Sequence, residues 1–167
     1  MLAQNKIKGN QYNFEKELKL NPMYAGLGII QFQLEKQLQK PNSLNVYVQY
    51  VNLGYGGNLV GFGFGIGHRS YFTPDKHKSF YIEPSLGYLF MEDRVFYNTY
   101  STPNLAFVLG RKWIILNRFS VETFLGPSLN IGFVKSGSQS SEKIKEWYGP
   151  INGNFFRLGF TLGYRFN

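Results

Sequence analysis

Phe156-Arg157-Leu158-Gly159-Phe160-Thr161-Leu162-Gly163-Tyr164-Arg165-Phe166 is the stretch that decides the fold. Every even position from 156 to 166 is a large apolar or aromatic residue, and every odd position from 157 to 165 is Arg, Gly or Thr. Successive side chains of a β-strand point to opposite faces, so this stretch is a strand with one apolar face and one polar or empty face. A soluble sandwich turns the apolar face into a core. A membrane barrel turns it to lipid.

Working outward, the alternation recurs along the chain. Strand candidates lie at about 16–25, 28–38, 43–54, 60–73, 79–91, 103–115, 118–134 and 154–166. One phase is apolar: Leu18, Leu20, Pro22 and Tyr24 in the first, Phe62, Phe64 and Ile66 in the fourth, Phe80, Ile82, Pro84 and Leu86 in the fifth. The other phase collects Glu17, Lys19, Glu35, Arg69, Glu83, Lys112, Glu122, Arg157 and Arg165. Pro22 and Pro84 cannot donate to a ladder and are read as bulges. The links 39–42, 74–78 and 116–117 are short, whereas 92–102 and 135–153 are long. Strands of roughly ten residues with short turns on one rim and longer loops on the other are the outer-membrane pattern. The expectation is an all-β, eight-stranded antiparallel up-and-down transmembrane β-barrel with both termini on the short-turn, periplasmic rim.

Bulk properties bound this reading without deciding it. A chain of 167 residues suits one domain. It has no apolar run of about 18 residues, so a membrane-spanning helix is excluded. Mean hydropathy is −0.25, which an alternating barrel tolerates because its strands average out. Aromatics make up 18% and Gly numbers 19, a mixture that favours β-structure with aromatic girdles over helices. The absence of Cys excludes disulfides and thiolate metal sites. His68 and His77 lack ligand-like spacing, so neither a metal nor another cofactor is expected. The formal charge of +8 fits nucleic acid or anionic lipid headgroups. Nucleic acid would need stacking aromatics beside the lysines, and here the aromatics are committed to the apolar phase, so no nucleic-acid partner is expected.

Met1-Leu2-Ala3-Gln4 is not preceded by an apolar stretch. One reading is an intracellular protein. The preferred one is a chain that starts near a cleavage site, with Met1 and Leu2 a remnant of leader or vector. Residues 1–15 are then a flexible segment left after signal-peptide removal, and 16–167 the barrel domain.

Several motifs carry a resemblance. They are Lys19-Leu20-Asn21-Pro22, Phe32-Gln33-Leu34-Glu35, Gly65-Ile66-Gly67-His68-Arg69-Ser70-Tyr71-Phe72, Phe80-Tyr81-Ile82-Glu83-Pro84-Ser85-Leu86-Gly87-Tyr88 and Leu162-Gly163-Tyr164-Arg165-Phe166. Together they resemble a family of small outer-membrane β-barrels common in Bacteroidetes, a domain family of unknown function, from about Glu17 to Phe166. The last motif also resembles the C-terminal strand by which outer-membrane barrels are recognised for assembly. His68 departs from the family, where an acidic residue is common. The resemblance implies a Gram-negative cell outer membrane as the location and implies no activity.

Four groups of residues are functional candidates. In an eight-stranded barrel the lumen is just filled by side chains, so Glu35, Arg69, Glu83, Lys112, Glu122, Arg157 and Arg165 are expected to pair there; a narrow gated pore is the sharper alternative. Lys36, Lys40, Lys76, Lys78, Arg111, Lys112 and Arg118 gather on the short-turn rim, facing headgroups or an acidic partner. Trp147 and Tyr148 in the longest loop are candidates for a partner contact or a lid. His68 and Ser70 resemble the His-x-Ser of barrel lipid A deacylases, yet the nearby acids Glu83 and Glu122 lie on the opposite phase, and a nucleophilic serine needs an oriented base. No catalytic residue is therefore assigned and no enzyme is expected. The function expected is a small integral membrane barrel with a plugged lumen and a structural or accessory role, joined to a protein partner through its long loops or its basic rim. The alternatives are a narrow pore for ions or small solutes, a soluble lipocalin-like barrel with Phe62, Phe64, Phe160 and Leu162 turned inward on an apolar ligand, and the hydrolase.

Overall fold

The alternation is spent on a closed wall. The structure, a computed structural model, describes residues 15–38, 41–53, 59–72, 78–136, 142–143 and 153–167. Its elements are β1 (Lys16–Leu20), α1 (Pro22–Ala25), β2 (Ile29–Gln37), β3 (Asn42–Leu53), β4 (Leu59–Tyr71), β5 (Lys78–Asp93), β6 (Asn98–Ile115), β7 (Phe119–Asn130), β8 (Phe133–Ser136), β9 (Glu142–Lys143) and β10 (Gly153–Phe166). Strands β1 to β7 pair antiparallel in sequence order. β7 then pairs with β10, and β10 closes on β1 from Lys16↔Phe166 to Leu20↔Leu162, giving an eight-stranded antiparallel barrel. From Leu158 of β10 the register partners run through Leu125, Leu109, Ile82 and Ser70 to Asn42, at the foot of β3. The strands are therefore tilted, as closure of a small barrel requires.

The two phases fall on opposite sides of this wall. Phe62 and Phe64 are 62% and 60% exposed on the outside, while Glu122 and Arg69 are 0% and 2% exposed within. That is the reverse of a soluble core. An apolar-ligand barrel needs Phe62, Phe64 and Leu162 inside, and all three stand exposed on the outer face, which Phe160 shares by parity.

Three boundaries and one expected bulge differ from the sequence reading. The first strand ends at Leu20, not at residue 25. Asn21 caps α1, its Oδ1 accepting the Tyr24 N–H at 3.1 Å, with Pro22 at the first helical position, so the local cap outcompetes a bulged strand. Pro22 and Tyr24 accordingly leave the outer strand face. Pro84 makes no bulge either: Gly67↔Ser85 and Ser70↔Ile82 keep one register, and only the bridges between them are missing. The expected long loop 92–102 is a four-residue turn, Arg94–Tyr97, atop a long β5–β6 hairpin. Asp93 holds that turn by accepting the Val95 and Phe96 N–H groups at 2.8 and 3.1 Å. Finally, β7 stops at Asn130, and β8 pairs with the start of β6 rather than continuing the wall.

The link expected at 116–117 is short. The connection from Ile115 to Phe119 is Leu116-Asn117-Arg118, and Leu116 and Asn117 have φ of 50° and 64°, the left-handed values a tight hairpin takes at its tip. The glycines of β4 serve the interior: a Cβ on Gly65 would run into the Tyr47 ring, and one on Gly67 into the Glu83 side chain.

Candidate functional site

The alternation gives each inward position to a strand at a fixed height, and the register then decides which charges meet. Lys19 of β1, Glu35 of β2, Arg69 of β4, Lys112 of β6 and Glu122 of β7 converge across the lumen. Glu122 accepts from Lys19 Nζ at 2.7 Å, from Arg69 Nη1 at 2.9 and 3.1 Å, and from Thr161 Oγ1 at 3.3 Å. Glu35 accepts from the Tyr71 hydroxyl at 2.5 Å, Ser43 Oγ at 2.6 Å, Arg69 Nη1 at 2.9 Å, Lys112 Nζ at 3.1 Å and also Lys19 Nζ. Glu83 binds Arg69 Nε and accepts from Asn45 Nδ2 at 3.2 Å. Glu17 lies 2.6 Å from Lys112 Nζ and accepts from Ser120 Oγ. The Arg69 guanidinium lies over the Tyr81 ring, 4.3 Å from its centroid.

Buried charges are costly unless geometry and hydrogen bonding are both good. Here each carboxylate is met by at least one cation and by further hydroxyl or amide donors. Glu17, Glu35 and Glu122 bring carboxylate oxygens within 4.8 Å of one another, a spacing that would suit a metal ion. Lys19 and Lys112 already bridge those oxygens. A divalent ion would have to displace both ammonium groups, so the donor set fits internal counter-ions better than a metal.

Of the lumen candidates, Glu35, Arg69, Glu83, Lys112 and Glu122 come together. Arg165 sits at the edge, its side chain 20% exposed and 3.9 Å from Glu17. Arg157 stands apart. It donates to Ser85 Oγ at 3.3 Å, lies 4.7 Å from the Tyr47 ring centroid and 6.0 Å from that of Phe124, and interacts electrostatically with the Tyr24 phenol. Among the described residues no carboxylate forms an ion pair with it. Sequence reasoning left out a ladder of amides beside the charges: Gln33 donates to Gln31 at 2.9 Å, Gln31 to Gln49 at 3.0 Å and Asn45 to Gln33 at 3.3 Å. Its signal was the inward Gln31-x-Gln33-x-Glu35 spacing.

On the outside, Arg118 donates to the Tyr164 hydroxyl at 3.2 Å. Arg111 lies over the rings of Phe80 and Trp113 at 4.9 and 5.0 Å. Lys36 is exposed at the foot of β2, opposite Lys16. Lys40, Lys76, the side chain of Lys78, Trp147 and Tyr148 lie outside the described residues. His68 is exposed on the outer face, while Ser70 donates to Asn42 Oδ1 at 3.0 Å; among the described residues no hydrogen bond joins the pair. The chain matches no family model, no curated protein and no solved structure.

Proposed function

We propose that the chain is an integral outer-membrane barrel whose lumen is plugged by its own charge network, with a structural or accessory role. The observation that carries this reading is the sidedness of the wall. Apolar residues such as Leu18, Phe32, Val48, Phe62, Leu86, Leu109, Leu125 and Leu162 are exposed outside, and the ionised residues are buried inside. An apolar belt of that extent is unstable in water and stable in lipid. Trp113 and Tyr164 near the short-turn rim supply amphipathic rings suited to a membrane interface, and Lys36 and Arg118 add cations for headgroups there. On the opposite rim, Val95, Phe96 and Tyr97 are exposed at the tip of the β5–β6 hairpin and offer a contact for a protein partner.

The test is extraction and electrophysiology on the full chain. The protein is expected to partition with membranes, to require detergent for a monodisperse folded state, and to give no steady single-channel conductance in planar bilayers. A folded, monodisperse protein in plain buffer would sink the membrane reading. Steady conductance from the monomer would replace the plugged lumen with a pore.

A further inference from the structure

We infer that Arg157 anchors a binding site for the anionic headgroup, phosphate or carboxylate, of an amphiphile whose chain leaves through a seam in the wall between β2 and β10. The inference rests on the membrane reading above and adds a ligand class to it.

The seam follows from strand length. β1 (Lys16–Leu20) is much shorter than its neighbour β10 (Gly153–Phe166), and it pairs only with Leu162–Phe166. Above that point, among the described residues, no strand pairs with β10 on its β1 side, and Ile29 and Ile30 of β2 pair only with β3. The chain leaves the wall at Asn21, and α1 then lies against both β2 and β10. The Asn21 N–H still donates to the Gln31 carbonyl at 3.2 Å as a last rung; beyond it a single helical turn meets its neighbours through side chains and zips no ladder to β10, so among the described residues this stretch of the wall is closed mainly by packing.

Charge points to the same place. In the lower lumen Glu17, Glu35, Glu83 and Glu122 are matched one for one by Lys19, Arg69, Lys112 and Arg165. Among the described residues Arg157, behind α1, forms no ion pair with a carboxylate, and Glu83 reaches it only as a more distant charge. Arg157 is half-buried as a residue, its head directed into the wall and its stem toward the unzipped stretch. It is held by the Tyr47 and Phe124 rings, the Ser85 hydroxyl and the phenol of Tyr24 on α1. A fixed, planar guanidinium fork binds phosphate or carboxylate in two-point fashion, and a counter-charge relieves the cost of a partly buried cation. The outer face beside the seam is apolar: Leu20, Ile30, Phe156 and Leu158 are all exposed there. A polar site inside and an apolar surface outside, joined by an unzipped seam, fit a molecule with an anionic head and a hydrocarbon tail. Tyr24 bridges helix and guanidinium and so latches the seam.

The test uses the full chain in a maltoside detergent and native mass spectrometry with three probes: dodecyl phosphate, inorganic phosphate and dodecyltrimethylammonium. Dodecyl phosphate is expected to bind one per barrel, the cationic probe not at all, and inorganic phosphate at least about tenfold more weakly, because the tail contributes burial. Arg157→Gln should weaken dodecyl phosphate by about tenfold or more, the loss of a charge-assisted hydrogen bond. Arg157→Lys should fall between, and Tyr24→Phe should alter affinity while keeping the charge. Heat-modifiable gel mobility reports folding of each variant; if Arg157→Gln does not fold, the other two substitutions decide. Equal binding by wild type and the Arg157 variants overturns the site, as does no binding. Equal affinity for inorganic and dodecyl phosphate overturns the seam and the amphiphile. Should the protein prove folded without detergent, the membrane reading falls by that result, and the same inorganic phosphate titration in buffer still decides the Arg157 anion site.

Discussion

Arg69 shows what a single residue does in this fold. Its guanidinium meets Glu35, Glu83 and Glu122, carboxylates from three different strands, while stacking on Tyr81. Removing it leaves buried carboxylates short of a partner, so Arg69→Met is expected to cost about 3–5 kcal/mol. Glu83 depends on Arg69 and Asn45 alone for its described contacts. Adding Glu83→Gln to Arg69→Met should therefore cost less than the two single changes summed. Urea unfolding in a matched detergent measures both, and strict additivity would contradict the network. Glycine carries a second residue-scale expectation. Gly65→Ala places a methyl in the Tyr47 ring and should destabilise by about 1–3 kcal/mol, the usual cost of overpacking. In a Tyr47→Ala background the same change should be nearly neutral; an unchanged cost would mean that backbone, not the ring, is the obstacle.

At the scale of elements, the β5–β6 hairpin and α1 are the departures from a plain ladder. Both are set by short polar contacts rather than by the apolar pattern. Asp93 holds the hairpin turn through two N–H groups, and Asn21 starts α1 by accepting one. Asp93→Ala is expected to loosen only the tip, by about 1 kcal/mol for the lost hydrogen bonding. Amide hydrogen exchange at Val95 and Phe96 should speed up while the melting temperature of the barrel stays put. A global drop in melting temperature would show that the tip supports the wall. Both devices could be read only in part from sequence. Asn21-Pro22 is a helix-start signal, but it lies within an alternating stretch that also reads as strand. Asn98-Thr99-Tyr100-Ser101-Thr102 lacks apolar alternation and reads as loop, and it becomes strand because β5 presents a matching edge from Ser101↔Phe90 to Thr99↔Glu92.

The whole molecule is a wall with its polarity reversed. Leu162 and Phe64 lie on the exposed apolar face, and an Arg at either position should cost about 2–4 kcal/mol in a bilayer when it sits near the midplane. The same substitutions on an inward glycine would act through packing instead, so unfolding measured in bilayers and in detergent separates the two causes. If Phe64→Arg proved neutral in bilayers, the outer face would not be a lipid face. Sidedness also explains why a chain of unremarkable mean hydropathy forms such a surface: alternation cancels in the average and separates in space.

The sequence alone determined the strand periodicity, the inward and outward phases and the tight connection at Leu116-Asn117. These are local properties, since a period of two assigns each side chain to a face before any contact is made. It also placed Glu35, Arg69, Glu83, Lys112 and Glu122 in one interior. Only the tertiary structure decided which of them meet. The stagger between strands sets their heights, and a height difference of a few residues separates Arg157, beside Tyr47 and behind α1, from the carboxylates that share its phase. The early end of β1 was likewise decided there, because Asn21 had to choose between continuing a ladder and capping a helix, and the capped turn over the β2–β10 seam won.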